Sequence, residues 1–271
     1  MKDKILVFIP MYNCEKQIIR VLEQFEGRIS SYVSEIILVN NQSTDHSEEV
    51  AVNKLKNMNI NLPIKLLRND QNYGLGGSHK VAFQYAVKNN FDYLIVLHGD
   101  DQGNIADLLP ILENKIYEKY DCCLGSRFMK GSNLPGYSKF RTFGNYVYNL
   151  LFSIATFQKV KDLGSGLNLY KVNMLKKHFY MKYSDTLMFN CYMLLANSYF
   201  KFNVHFFPIS WREDDQVSNV KLFSQAIRTF KIATGYFFSN KKNYMHRDFR
   251  DNKKIKKYVA KEIYRTTIKE V

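Results

Sequence analysis

Five short apolar runs, at 5–9, 35–39, 64–67, 93–97 and 122–124, alternate with helix-patterned stretches at about 14–26, 46–58, 75–89 and 105–118. Alternation of this kind implies βαβ units and a mainly parallel sheet. The runs end in polar or turn-forming residues: Pro10-Met11-Tyr12-Asn13, Asn40-Asn41-Gln42-Ser43, Arg68-Asn69-Asp70 and His98-Gly99-Asp100. In a parallel sheet such ends fall on one edge, which is where open α/β sheets place their ligands. The chemistry is therefore expected in a single cleft.

The run Leu94-Ile95-Val96-Leu97 is apolar throughout, as a strand covered on both faces requires, and stops at His98-Gly99-Asp100-Asp101-Gln102. Two adjacent acids at such an edge repel each other unless a positive group lies beside them. A divalent cation bound to a phosphorylated substrate answers that need. The glycine cluster Gly74–Gly77 opens the next helical stretch, and turn formation alone would also explain it.

The second half is less regular. Helical patterns at about 140–157 and 185–198 flank a strand-like segment at 166–171, and another strand is expected at 202–208, before the polar loop 211–219. From 221 to 238 the apolar residues 223, 226, 227, 230, 233 and 237 share one helix face, with Lys221, Arg228 and Lys231 mostly off it, giving a basic amphipathic helix. Packing of that helix on the core and contact with a membrane surface are both open.

The formal charge is +14, and half of it falls in the last 31 positions, where eleven Lys/Arg face four Asp/Glu. Such a tail suits an anionic partner, lipid headgroups or nucleic acid, while a solvated, partly helical tail is the plain alternative. No nucleic-acid module is recognisable and the excess is not spread over the sheet, so nucleic acid is not expected. Cys14, Cys122, Cys123 and Cys191 lack the paired spacing of a zinc site and read as reduced thiols of a cytoplasmic protein. No run approaches the roughly 18 apolar residues of a membrane span, so any membrane contact is expected to be peripheral.

The end-of-strand motifs resemble the family 2 glycosyltransferases of GT-A fold, most of all the dolichyl- or polyprenyl-phosphate mannosyl- and glucosyltransferases. The residues that carry the likeness are Ile9-Pro10-Met11-Tyr12-Asn13, Val39-Asn40-Asn41-Gln42-Ser43-Thr44-Asp45, Asn72-Tyr73-Gly74-Leu75-Gly76-Gly77, His98-Gly99-Asp100-Asp101-Gln102, Gly125-Ser126-Arg127-Phe128 and Asp162-Leu163-Gly164-Ser165-Gly166 with Tyr170. Each is weak alone; six in order, from about residue 4 to 238, are specific. The resemblance implies a Rossmann-like, nucleotide-sugar-binding α/β sheet flanked by helices over 1–220, with an amphipathic helix and basic tail at 221–271 touching an anionic membrane surface.

It also implies roles for residues. Pro10, Tyr12, Asn13, Asn41, Ser43, Gly74, Gly76 and Asp100 would bind the nucleotide. Asp100, with Gln102 and His98, would hold Mg²⁺ or Mn²⁺ on the diphosphate. Arg127, Arg212 and Lys221 would meet the acceptor phosphate, and Asp100, Arg127 and Asp185 are the catalytic candidates. The implied reaction is inverting transfer from a nucleotide sugar to a polyprenyl phosphate or a surface glycan. Asp185 reads as either a general base, which only a hydroxyl acceptor needs, or a helix N-cap.

Two departures stand out. Asn40-Asn41-Gln42-Ser43 occupies a place where the family commonly has Asp-Asp-Gly-Ser, and an Asn carbonyl can still accept a base N–H. His98 stands for the first Asp of the metal motif; imidazole suits Mn²⁺ better than Mg²⁺, and ligation, phosphate contact or packing are its three roles. Both departures also fit a non-catalytic scaffold relative.

Overall fold

The structure, a computed structural model, describes residues 2–213 and 222–266. Its centre is one eight-stranded sheet: β1 (Ile5–Met11), β2 (Glu35–Asn40), β3 (Ile64–Asn69), β4 (Tyr93–Leu97), β5 (Cys122–Ser126), β6 (Leu167–Lys171), β7 (Val204–Pro208) and β8 (Ala260–Arg265), in the order β7-β5-β6-β4-β1-β2-β3-β8. Strands β1 to β4 run parallel, as the alternation requires, and β5 pairs parallel with β7. The antiparallel members are β6, between β4 and β5, and β8, on the free edge of β3.

Strand alternation feeds two cores. Leu6 and Phe8 point to one face, Ile5, Val7 and Ile9 to the other, and all five are buried. The second face is covered by α1 (Ile18–Glu23), α2 (Ser47–Asn57) and α4 (Leu109–Glu113). The first is covered by α3 (Gly74–Lys88), α5 (Lys139–Thr156), α6 (Val172–Leu175), α7 (Phe189–Tyr199), α8 (Leu222–Phe238) and α9 (Lys241–Met245).

Three expectations are corrected. The stretch at 105–118 is not one helix: a 3₁₀ turn at 105–108 precedes α4, whose first turn holds Pro110, and Lys115, at φ 52°, separates α4 from a closing 3₁₀ turn. The helix expected from 185 begins at Phe189. The tail is partly helical, at α9, but it is not merely solvated. Ile255 and Tyr258 are buried, each stabilising by about 1.5–3 kcal/mol. They seat a strap that ends as β8, where Leu67 pairs with Glu262 and Arg68 with Lys261.

Candidate active site

The carboxyl ends of β1 to β5 bring the first four loops and Arg127 to one edge, as the parallel pairing dictates. The first two loops are tied together. Asn13 adopts φ 49°, a left-handed conformation that Asn tolerates; its backbone N–H donates to Ser43 Oγ (3.1 Å), and its Oδ1 accepts from the Thr44 N–H (2.8 Å). Asn40 Oδ1 accepts from the Ser43 N–H at 2.9 Å, closing the second turn. Tyr12, next to Asn13 in the chain, is 48% exposed. Pro10 lies in β1, where its carbonyl accepts from the Gly99 N–H at 3.1 Å and so ties the first loop to the metal motif.

Asn41 does something other than expected. Its Oδ1, the atom proposed for a base N–H, accepts from Asn69 Nδ2 (2.9 Å) and the Tyr73 N–H (2.8 Å), and its Nδ2 donates to Asn72 Oδ1 (2.8 Å). Both oxygen lone pairs are thus engaged, and Asn41 shapes the glycine turn. That turn is likewise filled by protein. The N–H groups of Gly76 and Gly77 donate to the Asp185 carbonyl (2.8 and 3.3 Å), so these amides are not aimed at a diphosphate. A Cβ at Gly74, whose φ is +72°, would lie 2.4 Å from Asp185 O, and one at Gly76 would lie 2.3 Å from Ser184 O. The glycines are required by the close approach of the 184–186 segment.

At the end of β4 the two acids part company. Asp100 is half-buried; burial lifts its carboxyl to about 6, opposed by a hydrogen bond from the Gln102 N–H (3.3 Å) and by the charge of Arg127. Asp101, at φ 59°, is buried in an ion cluster: Arg20 Nε (2.6 Å), Gln24 Nε2 (3.1 Å) and the Arg212 guanidinium all donate to its carboxylate. The acid that was to lend charge to the metal is already neutralised.

His98 packs its ring on Gly166, where a Cβ would lie 2.8 Å from the ring carbon Cγ. Burial, with Arg127 nearby, holds the imidazole down to about 4, so it is neutral, and its buried Nε2 has no hydrogen-bond partner among the described residues. Gln102 Nε2 donates to the Arg212 carbonyl (3.3 Å), leaving the amide oxygen as its ligand-type atom.

Among the described residues no three His, Cys, Asp or Glu side chains surround a point that could hold a metal. Among these residues a protein-only cage is therefore not formed. The donor set fits the other way of holding Mg²⁺ or Mn²⁺, by one or two protein groups plus substrate phosphates. Asp100 would supply the charge, and the orphaned nitrogen of His98 would favour Mn²⁺ over Mg²⁺.

Arg127 was expected to clamp a phosphate by bidentate geometry. Its bidentate partner is Asp162, at 2.9 and 2.8 Å, and its guanidinium lies between the rings of Phe128 (5.1 Å) and Trp211 (5.0 Å) with 11% of the side chain exposed. It acts on the site through its charge, which favours the ionised form of Asp100.

Asp185 is neither helix cap nor unpaired base. Met188 is the N-cap of α7, without a side-chain bond. The Asp185 carboxylate meets Lys80 Nζ at 2.7 Å and Tyr258 Oη. Lys80, fully buried, also donates to Tyr183 O (2.6 Å) and Tyr258 Oη (3.0 Å), and burial lowers its pKa. Lys80 was legible: it sits among Val81, Ala82 and Phe83 on a helix buried almost all round. Tyr258 carried no signal. Lys221 and residues 214–219 of the acceptor loop lie outside the described residues.

Sheet and site together define a glycosyltransferase of GT-A fold. The chain belongs to glycosyl transferase family 2, which it matches over residues 6–179. It is 25% identical over 241 residues to the dolichyl-phosphate beta-glucosyltransferase ALG5C of Trichomonas vaginalis, spanning 83% of this chain and 69% of that protein. Identity to the dolichol-phosphate mannosyltransferase of Pyrococcus furiosus is 25% over 166 residues, 60% of this chain and 45% of that one. A similar fold occurs in the Mycobacterium tuberculosis glucosyl-3-phosphoglycerate synthase in complex with Mn²⁺, uridine diphosphate and phosphoglyceric acid, at TM-score 0.63 and 12% identity over 88% of this chain and 80% of that one.

Proposed function

We propose that this glycosyltransferase moves a sugar, with inversion, from a nucleoside diphosphate sugar to a polyprenyl phosphate at a membrane surface. The observation that carries the choice of acceptor is the Lys80–Asp185 ion pair. A hydroxyl acceptor must lose a proton during attack, and the acid considered for that work is buried and bound to an ammonium. A phosphate is already ionised. Its oxygen attacks the anomeric carbon opposite the leaving group, the bond from that carbon to the diphosphate oxygen breaks, and the nucleoside diphosphate departs with the electron pair.

In this reading Tyr12, Asn13 and Ser43 border the nucleoside, and Asp100 with Gln102 and His98 holds the cation on the diphosphate. A divalent ion bound there would draw negative charge off the leaving group. Arg127 adds its field, and Arg212, with Lys221, serves the acceptor phosphate. The similarity to two dolichyl-phosphate sugar transferases supports this acceptor class.

The outer faces of α5 and α8 support the membrane. No helix among the described residues is long and apolar enough to cross a bilayer. Yet Phe140, Phe143, Leu150, Ile227, Phe230 and Phe238 are exposed, and Phe140, Phe143 and Phe230 line an apolar groove of about 350 Å³ between the helices. Exposed apolar patches on this scale mark interaction surfaces. Lys231 on α8 and the lysines of the strap add the charge that anionic lipid attracts, whereas Arg228 is paired with Asp251 at 2.8 Å. Vesicles containing phosphatidylglycerol are expected to sediment the protein, and Phe143→Ser with Phe230→Ser to weaken that binding by about tenfold or more while leaving the fold unchanged. Equal sedimentation of the variant would remove the helices from the membrane contact.

The acceptor is tested by supplying UDP-glucose and other nucleoside diphosphate sugars with a prenyl phosphate, the matching prenyl alcohol or a saccharide. Transfer to the phosphate alone is expected; transfer to the alcohol or saccharide at a similar rate would overturn the reading.

A further inference from the structure

The strap that ends as β8 lies beyond the family-matched residues 6–179, yet it reaches the edge where the nucleoside loops sit. Because β8 runs antiparallel to β3, its first residue, Ala260, pairs with Asn69 at the carboxyl end of β3. Just before it, the Val259 carbonyl accepts from the Asp70 N–H at 3.1 Å. Tyr73 completes the join: its Oη accepts from the Val259 N–H (3.2 Å) and donates to the Lys257 carbonyl (3.4 Å). Its ring, 3% exposed, meets that of Tyr258 edge-on at 5.1 Å. The turn from Asn69 to Tyr73 is thus fastened to the strap at both ends.

That turn holds the second loop. Asn41 takes all three of its hydrogen bonds from Asn69, Asn72 and Tyr73, and Gln42 Nε2 donates to the Asn69 carbonyl. The next residue, Ser43, accepts from the Asn13 N–H and so carries the constraint into the first loop. Asp70, Gln71 and Asn72 are exposed, so burial does not fix the turn. The strap can, because it is anchored elsewhere: Ile255 and Tyr258 are buried, and Asp251 accepts from the Asp185 N–H at 2.9 Å. A loop already held in its bound shape binds with a smaller ordering cost.

We propose that the strap is the outer brace of the donor site and that Tyr73 is its positioning residue, whose hydroxyl joins the strap to the nucleoside loops. Tyr73 acts through Asn41 and touches no substrate. Its effect falls on donor affinity and leaves the chemical step alone. The inference rests on the reading that these loops border the nucleoside, and its test separates the two.

Tyr73→Phe keeps the ring and removes only the hydroxyl. Parent and variant are titrated calorimetrically with uridine diphosphate and with guanosine diphosphate, in the presence of Mn²⁺. The nucleotide that the parent binds more tightly is expected to bind about fivefold or more weakly to Tyr73→Phe, for the loss of two neutral hydrogen bonds. The donor KM should rise in step, with kcat within about twofold of the parent. Hydrogen exchange supplies a readout that needs no variant. In the parent, nucleotide is expected to slow exchange of the Asp70 and Val259 amides, since coupling between two sites is reciprocal. Should Tyr73→Phe fail to fold, Ile255→Ala loosens the strap away from the turn and is expected to weaken the nucleotide in the same way. A tyrosine with a structural role alone would lower stability in urea and leave nucleotide affinity unchanged. That result, or strap exchange indifferent to nucleotide in the parent, overturns the inference. A parent that binds neither nucleotide sinks the donor reading and this inference with it; equal binding by parent and Tyr73→Phe sinks the inference alone.

Discussion

Asp100→Ala is expected to cut sugar transfer by about 10²–10³-fold or more, the cost of removing a group that stabilises developing charge. The folded state should survive. Asp100 sits at the cleft edge rather than in either core, and burial already raises its carboxyl to about 6, so the ionised form is disfavoured in the fold. As far as the charge is concerned, a neutral replacement is therefore not expected to lower folding stability near neutral pH, by linkage. Transfer assays beside a denaturant titration check both halves. A large loss of stability would mean that Asp100 is a structural acid, and retained transfer would remove it from the cation site.

Asp185→Asn should have the reverse profile. It leaves the ammonium of Lys80 buried without its counter-charge, and breaking a buried pair from one side typically costs about 3–5 kcal/mol. Lys80→Met alone strands the carboxylate and is expected to cost a similar amount. The double replacement Lys80→Met with Asp185→Leu removes both charges and should recover much of the loss, because two matched apolar groups need no partner. Urea unfolding of the three variants measures this. If Asp185 were the base of the reaction, Asp185→Asn would instead stop turnover at nearly unchanged stability. The acceptor assignment thus stands or falls with a stability measurement as well as with an assay.

The sheet was legible because its signal is local. An apolar run such as Leu94–Leu97 has no other stable place than a covered strand, and strand order then brings the loop motifs together. The roles of side chains were less legible, because they depend on partners distant in sequence. Asp100 and Asp101 look equivalent on paper; Arg20 and Arg212, 81 and 111 residues away, make them different. Arg127 reads as a phosphate clamp until Asp162 is seen in its fork. Gly74 and Gly76 read as a nucleotide turn, yet it is the 184–186 backbone that presses on them. The strap was hidden for a plainer reason. Lys253, Lys254, Lys256 and Lys257 surround its few apolar residues ahead of β8, of which Ile255 and Tyr258 are buried before β8 completes the sheet.

In the proposed function Asp100 holds a cation shared with the diphosphate of a sugar donor. Calorimetric titration of the parent protein with uridine diphosphate, once with Mn²⁺ and once with a chelator, addresses it directly. Affinity at least about tenfold higher with Mn²⁺, lost in Asp100→Ala, is the predicted result. Equal affinity under both conditions, or none, would contradict the claim and leave a chain that keeps the fold of the glycosyltransferases without their donor chemistry.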